Sequence, residues 1–290
     1  MARTRVPFVP AAALAAVMGL GVAACTTAGN RSAEAPPPAA GIERSSLFSF
    51  AAGDRLEDAG RMVVAGGRFA RTEHFEVVRR ADGGRAVTSV IVAAGNAYRV
   101  EGRWDSDARE QAGAATGLGS YAGVPAHIEI SGGGPGARIR VRSGTTDQTR
   151  VAPCPEGCLV DMTPSTLPMF TLTRRYGFAD AGTRSYRWIG QSLLADETLL
   201  DGTTEVRKLR AADFAAPGGT VRVHQYGFVE TLRNEATGKT FQMAFNLYVD
   251  GEHRPLAFAI GSSTVGERVG YEGITRAIPP EVPAVRPPGG

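Results

Sequence analysis

Lysine is almost missing from this chain: of 32 basic side chains, only Lys208 and Lys239 are lysine. Cysteine is scarce at three residues and histidine at four. No charge of one sign dominates, with 32 basic against 29 acidic side chains. That balance excludes nucleic acid as an expected partner, because such binding needs a basic face to displace counterions. The histidines are His74, His127, His224 and His253, and none recurs at the His-x-x-x-His spacing that holds a metal. Gly190-Gln191-Ser192-Leu193 lacks the second glycine of a nucleophile elbow. Asp105 and Asp107 read as a solvated turn, and Gly132 to Gly136 is followed by no lysine-bearing helix that would cradle phosphate. No enzyme, metal or cofactor is expected from these residues.

What the sequence does have begins at its start. Arg3 and Arg5 precede an apolar run from Pro7 to Ala24, which closes on Val22-Ala23-Ala24-Cys25. A positive start, a short hydrophobic stretch and small residues before a cut make a secretion signal. The run is near the lower limit for spanning a bilayer and is broken by Pro10 and glycines. A cysteine placed after such residues resembles the lipobox of bacterial lipoproteins. The resemblance implies that residues 1–24 are a signal peptide and that Cys25 carries lipid as the first mature residue. Thr26, where aspartate would hold a lipoprotein back, implies sorting to the outer membrane, facing the periplasm. Residues 25–43, with Pro36-Pro37-Pro38, read as a stiff tether. Removing residues 1–24 from 290 leaves 266, with 30 basic and 29 acidic side chains. Cys154 and Cys158 then remain as an even pair in an oxidising compartment, which reads as a structural disulfide. A redox pair would more usually be Cys-x-x-Cys.

The body of the chain alternates with period two. Tyr98, Val100, Gly102 and Trp104 alternate with Arg99, Glu101 and Arg103; Ile128 and Ile130, then Ile139 and Val141, alternate with polar residues. Phe241, Met243, Phe245, Leu247 and Val249 form another row, and Leu256, Phe258 and Ile260 a further one. Such rows are strands with one face toward an apolar interior. Asp82-Gly83-Gly84, Gly95-Asn96 and Asp250-Gly251 mark turns between them. The spacing predicts one meander over 73–80, 85–93 and 97–104, and a second over 220–232, 239–249, 254–261 and 265–275. Thr166, Pro168, Arg174-Arg175 and Gly177 are the start and stop signals of a helix over 166–176. A strand is expected at Ser185 to Ile189, and a short helix within 191–201. The fold class is therefore mainly β with minor α: a long curled antiparallel sheet or half-open β-barrel, with one or two short helices packed on or plugging it. The domain spans 44–278, and 279–290 is a proline- and glycine-rich disordered tail.

The stretch Gly157-Cys158-Leu159-Val160-Asp161-Met162-Thr163-Pro164-Ser165-Thr166-Leu167-Pro168 resembles a segment of the putative glycolipid-binding family. The resemblance runs from Cys154 to about Leu193. It implies a fold like the Lol-type lipoprotein carriers, and a lipid or acylated ligand. The candidate ligand-lining residues are Trp104, Met169, Phe170, Phe178, Trp188, Phe241, Met243 and Phe245, since methionine and aromatic groups adapt to irregular apolar guests. The same residues serve equally as plain core. Arg174 and Arg175 are candidates for a polar headgroup, or for compensating the helix C-terminus. The sequence is thus read as a membrane-anchored envelope lipoprotein that binds a lipid in an apolar cavity without chemistry. The alternative is an interaction lipoprotein with a filled β core that docks another envelope protein.

Overall fold

The computed structural model describes residues 51–281, apart from 67–69, 94–95, 105–109, 119–124, 132–135, 144–145, 154–158, 164–166, 180–181, 193–198, 235–236 and 262. Among the described residues there are fifteen strands and two helices. The first half of the chain runs β1 (Arg55–Ala65), β2 (Arg71–Arg79), β3 (Arg85–Ala93), β4 (Asn96–Trp104), β5 (Glu110–Leu118), β6 (Pro125–Ser131), β7 (Gly136–Ser143) and β8 (Thr146–Pro153). Then come β9 (Leu159–Thr163), α1 (Leu167–Tyr176), β10 (Thr183–Ser192), β11 (Leu199–Ala216) and β12 (Gly219–Asn234). β13 (Thr240–Val249), β14 (Pro255–Ile260), β15 (Thr264–Arg268) and α2 (Ile274–Ala277) complete the chain.

All fifteen strands belong to one sheet, ordered 8-7-6-5-4-3-2-1-15-14-13-12-11-10-9, which does not close into a barrel. Every pairing is antiparallel except β9 with β10. The two edge strands, β8 and β9, are consecutive in the chain. Laid flat, fifteen strands would separate them by about 67 Å. Five residues link Pro153 to Leu159, and six Cα steps reach at most about 21 Å. The sheet therefore has to roll up, and β9 comes to lie against β5.

The roll has an inner face, on which α1 packs. Following register from strand to strand places Phe75, Met62, Val64, Phe258, Leu247, Tyr226, Phe228 and Val206 in its rows. With Phe170, Leu172 and Tyr176 of α1 these residues form one buried cluster. Room for the rings comes from glycine in the facing rows. Phe258 crosses directly over Gly266, and a Cβ on Gly60 would stand 2.9 Å from Phe75 Cζ.

The expected meanders are present. Asp82-Gly83-Gly84 closes β2 on β3, where Arg80 N donates to Gly84 O at 2.8 Å. Asp250 closes β13 on β14, its Oδ1 accepting from the Glu252 and Arg254 amides at 2.8 and 2.9 Å. The helix expected at 166–176 is α1, and Gly177 ends it with φ 82°.

Three expectations need correction. The helix expected within 191–201 is not seen: Gln191 and Ser192 end β10, Leu199 to Asp201 begin β11, and 193–198 lie outside the described residues. The strand expected over 265–275 stops at Arg268, and α2 follows from Ile274. The tail is held further than 278. Asn246 Nδ2 donates to Glu281 O at 2.8 Å, and Glu281 N donates back to Asn246 Oδ1 at 3.1 Å. Gln225 Nε2 and an Arg210 guanidinium nitrogen both donate to Pro279 O. Gln225 and Asn246 are buried on the outer face, and the Pro279–Glu281 backbone satisfies them as a further strand would.

Gly266→Ala sets a methyl into the Phe258 ring, so overpacking should cost about 1–3 kcal/mol. Urea denaturation of the variant checks this, and a midpoint equal to the parent's would mean the ring is free to move aside.

Candidate functional site

Two features of the roll could carry function: a polar cluster where α1 ends, and the paired rows of the first-half strands.

The polar cluster gathers at the C-terminal end of α1. Phe178, just past Gly177, lies between two imidazoles, stacked on His253 at 3.7 Å and on His224 at 4.1 Å. Lys208 Nζ donates to Phe178 O at 2.8 Å. Tyr176 packs edge-on against Tyr226 at 5.7 Å, and its hydroxyl donates to Gly182 O at 2.6 Å. His253 sits in the β13–β14 turn at φ 59°, the sole non-glycine residue with positive φ among those described. Such a conformation persists only where surroundings fix it.

The proton arrangement here argues against catalysis. Thr173 Oγ1 donates to Phe170 O at 2.7 Å, so towards His253 Nδ1, at 3.1 Å, it is left as the acceptor. The imidazole then carries its proton on Nδ1 and donates. A base activating a hydroxyl requires the opposite direction. Burial pushes the His253 pKa down to about 3, with Arg174, His224, Arg85 and Lys208 adding like charge. Burial lowers that of His224 as well, with Lys208 and Arg222 beside it. The pair acts as a neutral aromatic clamp on the end of the helix.

Ion pairs ring the clamp. Arg85 binds Glu57 through two bonds at 2.7 and 3.0 Å, and Arg174 reaches the same carboxylate at 3.4 Å. Burial opposes ionisation of Glu57, yet these guanidiniums hold its pKa below the ordinary carboxylate value. Arg268 grips buried Asp58 at 2.7 and 2.9 Å.

The second feature follows from register. From the inner-row Val87 of β3 the backbone pairs Gly102 of β4, Gly113 of β5, Ile130 of β6 and Ile139 of β7, the side chains of β5 to β7 here lying outside the described residues. The adjacent row runs Ser89, Val100, Ala115, Ile128 and Val141. Gly117 of β5 stands in the next row, opposite Tyr98. By sequence these paired positions are apolar, and they are small at Gly102 of β4 and at Gly113, Ala115 and Gly117 of β5. The rows of β12 and β13 carry Tyr226, Phe228 and Phe245 instead.

The candidate residues fall in different places. Phe170 and Phe245 are buried core, and Phe245 stacks on Phe228 at 4.9 Å. Met243 packs partly buried against that core, whereas Phe241 is 42% exposed. Phe178 belongs to the clamp, not to a lining. Arg174 is engaged by Glu57, and the Arg175 guanidinium lies 5.0 Å from the Tyr186 ring centre. The helix-end basic pair is thus held internally. Trp104, Met169 and Trp188 sit in β4, α1 and β10, but their side chains lie outside the described residues, as do Cys25, Cys154 and Cys158. Sequence reading missed Glu57 and the clamp. Phe178 follows a helix stop and His253 a turn, but His224 lies inside β12, so nothing local in the sequence joins the three. Among the described residues no group of three or more His, Cys, Asp or Glu could hold a metal, and no helix is long and apolar enough to cross a membrane.

No family model and no curated protein matches this chain. Among solved structures, a DUF1089 family protein from Pseudomonas aeruginosa is similar over 66% of this chain and 90% of its own, at 17% identity and a TM-score of 0.37.

Because His253 is held neutral, the fold has its full contribution above about pH 6.5 and loses it as the pH falls towards 3. Replacing His253 with Asn, which tolerates positive φ, should flatten the drop in urea midpoint between pH 6.5 and 4.5. An unchanged slope would mean that another group sets it.

Proposed function

We propose that this chain is an exported lipoprotein that holds an acyl chain on the inner face of its rolled sheet, without chemistry. The observation that carries this reading is the backbone register of β3 to β7, which lines up with Val87 and Val100 a set of positions that the sequence fills with Gly102, Gly113, Ala115 and Gly117, then with Ile128, Ile130, Ile139 and Val141. α1 has ten residues, about 15 Å of helix. It is short against a fifteen-strand face, and its Phe170, Leu172 and Tyr176 join a buried cluster that reaches from Val87 of β3 to Leu232 of β12. Apolar positions filled by small residues suit a flexible hydrocarbon. Phe241, Met243 and Phe245 are candidates for its border on the second half of the sheet.

Burial is worth about 0.8 kcal/mol per methylene, so ten buried methylenes correspond to a micromolar dissociation constant. Binding of pyrene-labelled fatty acids to the full chain in detergent should therefore weaken roughly tenfold for each two carbons removed from a sixteen-carbon probe. Affinity independent of chain length, or no binding, would overturn the reading. The filled centre around Phe75, Phe228 and Phe258 favours the second reading, a docking lipoprotein with a solid core, and that reading would then stand.

The anchor is tested apart from the cavity. Cys25→Ser should abolish lipid attachment and move the protein from the membrane to the soluble fraction. A variant still found in the membrane pellet would contradict lipidation at Cys25.

A further inference from the structure

We infer that the end of the roll where α1 stops carries an anion site, built on Arg55, Arg79 and Arg85, and that the group it takes is a phosphate, borne by a lipid headgroup or by a free phosphate ester. The inference goes beyond the lipid-holding reading and stands without it, because the site takes the phosphate whether or not an acyl chain comes with it.

Register builds the site. Arg55 of β1 pairs with Arg79 of β2, and Arg79 pairs with Arg85 of β3. Three arginines therefore stand directly opposite one another on three neighbouring strands. Opposed residues share a face, with Cβ atoms about 5 Å apart, and like charges so placed destabilise a sheet. Alternate residues along a strand also share a face. Arg79 thus lies on the side of Val77 and Phe75, and Arg85 on the side of Val87, all three of which belong to the buried inner cluster. The arginine row is the rim of that face, and Arg55 and Arg79 are exposed there.

The charge of the row is not cancelled within the fold. Arg85 is bound by Glu57 at 2.7 and 3.0 Å, and Arg174 draws on the same carboxylate at 3.4 Å. Arg79 acts on Glu57 as well, through charge alone. Among the described residues, neither Arg55 nor Arg79 makes a hydrogen bond or an ion pair. The neighbouring acids are already engaged: Asp54 by Arg80, Asp82 by Arg103 and Asp58 by Arg268. Arg55, Arg79, Arg85 and Arg174 are thus left with the single carboxylate of Glu57. A row kept only for structure would set an acid between Arg55 and Arg79, and no described acid bonds either of them. An array that repels itself when empty is neutralised by a ligand carrying two negative charges. Guanidinium forks match the paired oxygens of phosphate in geometry as well as charge.

The double variant Arg55→Gln, Arg79→Gln tests the site in the full chain, kept in the uncharged detergent dodecyl maltoside. Its urea midpoint should be no lower than the parent's, because the substitutions relieve repulsion between exposed groups. A lower midpoint would mean that the row holds the fold, and would overturn the site. Fluorescent phosphatidic acid should bind the parent roughly tenfold more tightly than diacylglycerol with the same chains. That preference should vanish in the double variant, and should shrink in the parent as sodium chloride rises from about 0.05 to about 0.5 M. Calorimetric titration with glycerol 3-phosphate separates the two sources of phosphate. Binding that the double variant loses assigns a free phosphate ester, and no binding beside an intact phosphatidic acid preference assigns a lipid headgroup. Equal phosphatidic acid affinity in parent and variant, with no glycerol 3-phosphate bound, would overturn the site, and diacylglycerol still bound would then leave the lipid-holding reading intact. A parent that binds glycerol 3-phosphate but neither lipid would keep the site and overturn that reading.

Discussion

A sheet whose first and last strands are joined by five residues cannot lie flat. That covalent constraint, set by the short step from Pro153 to Leu159, bends all fifteen strands around a common interior. Once bent, the sheet has a face that must be filled. On the side of β12 and β13 the fill is aromatic and is locked by α1 through Phe170, Leu172 and Tyr176. In β4 and β5 the sequence instead sets Gly102, Gly113 and Ala115 at paired positions. The contrast between the two halves is what gives the molecule a functional reading.

The clamp and its ion pairs make this asymmetry durable. α1 is held at its end by His253 and His224 stacked on Phe178, by Lys208 on the Phe178 carbonyl, and by Arg174 on Glu57. Breaking a buried pair such as Arg268–Asp58 would leave an uncompensated charge, which is costly. The histidines that sequence reading weighed as possible chemistry thus serve to hold the helix. The outer face is closed in a different way, by two buried amides that accept the tail from Pro279 to Glu281 as an extra strand.

Much of the fold was legible because alternation and Asp-Gly turns are local signals. The runs Phe241 to Val249 and Leu256 to Ile260 announced β13 and β14, and Thr166 to Gly177 announced α1. Strand β11 was not legible. Its core, Glu205-Val206-Arg207-Lys208-Leu209-Arg210-Ala211-Ala212, is made of residues that favour helix. Pairing along this eighteen-residue strand, between β10 and β12, overrides that preference. β5 was missed because Ala-Gly-Ala-Ala-Thr-Gly has no apolar row to alternate, and that same smallness supports the functional reading. The clamp could not be read at all: its parts are 75 residues apart in sequence and meet only when β12, the β13–β14 turn and the end of α1 converge.

Native mass spectrometry of the full chain, extracted in detergent from the cells that make it, addresses the reading most directly. The account predicts a noncovalent lipid adduct in addition to the anchor mass, lost on collisional activation. A spectrum showing the anchored protein alone, across preparations in different detergents, would contradict it.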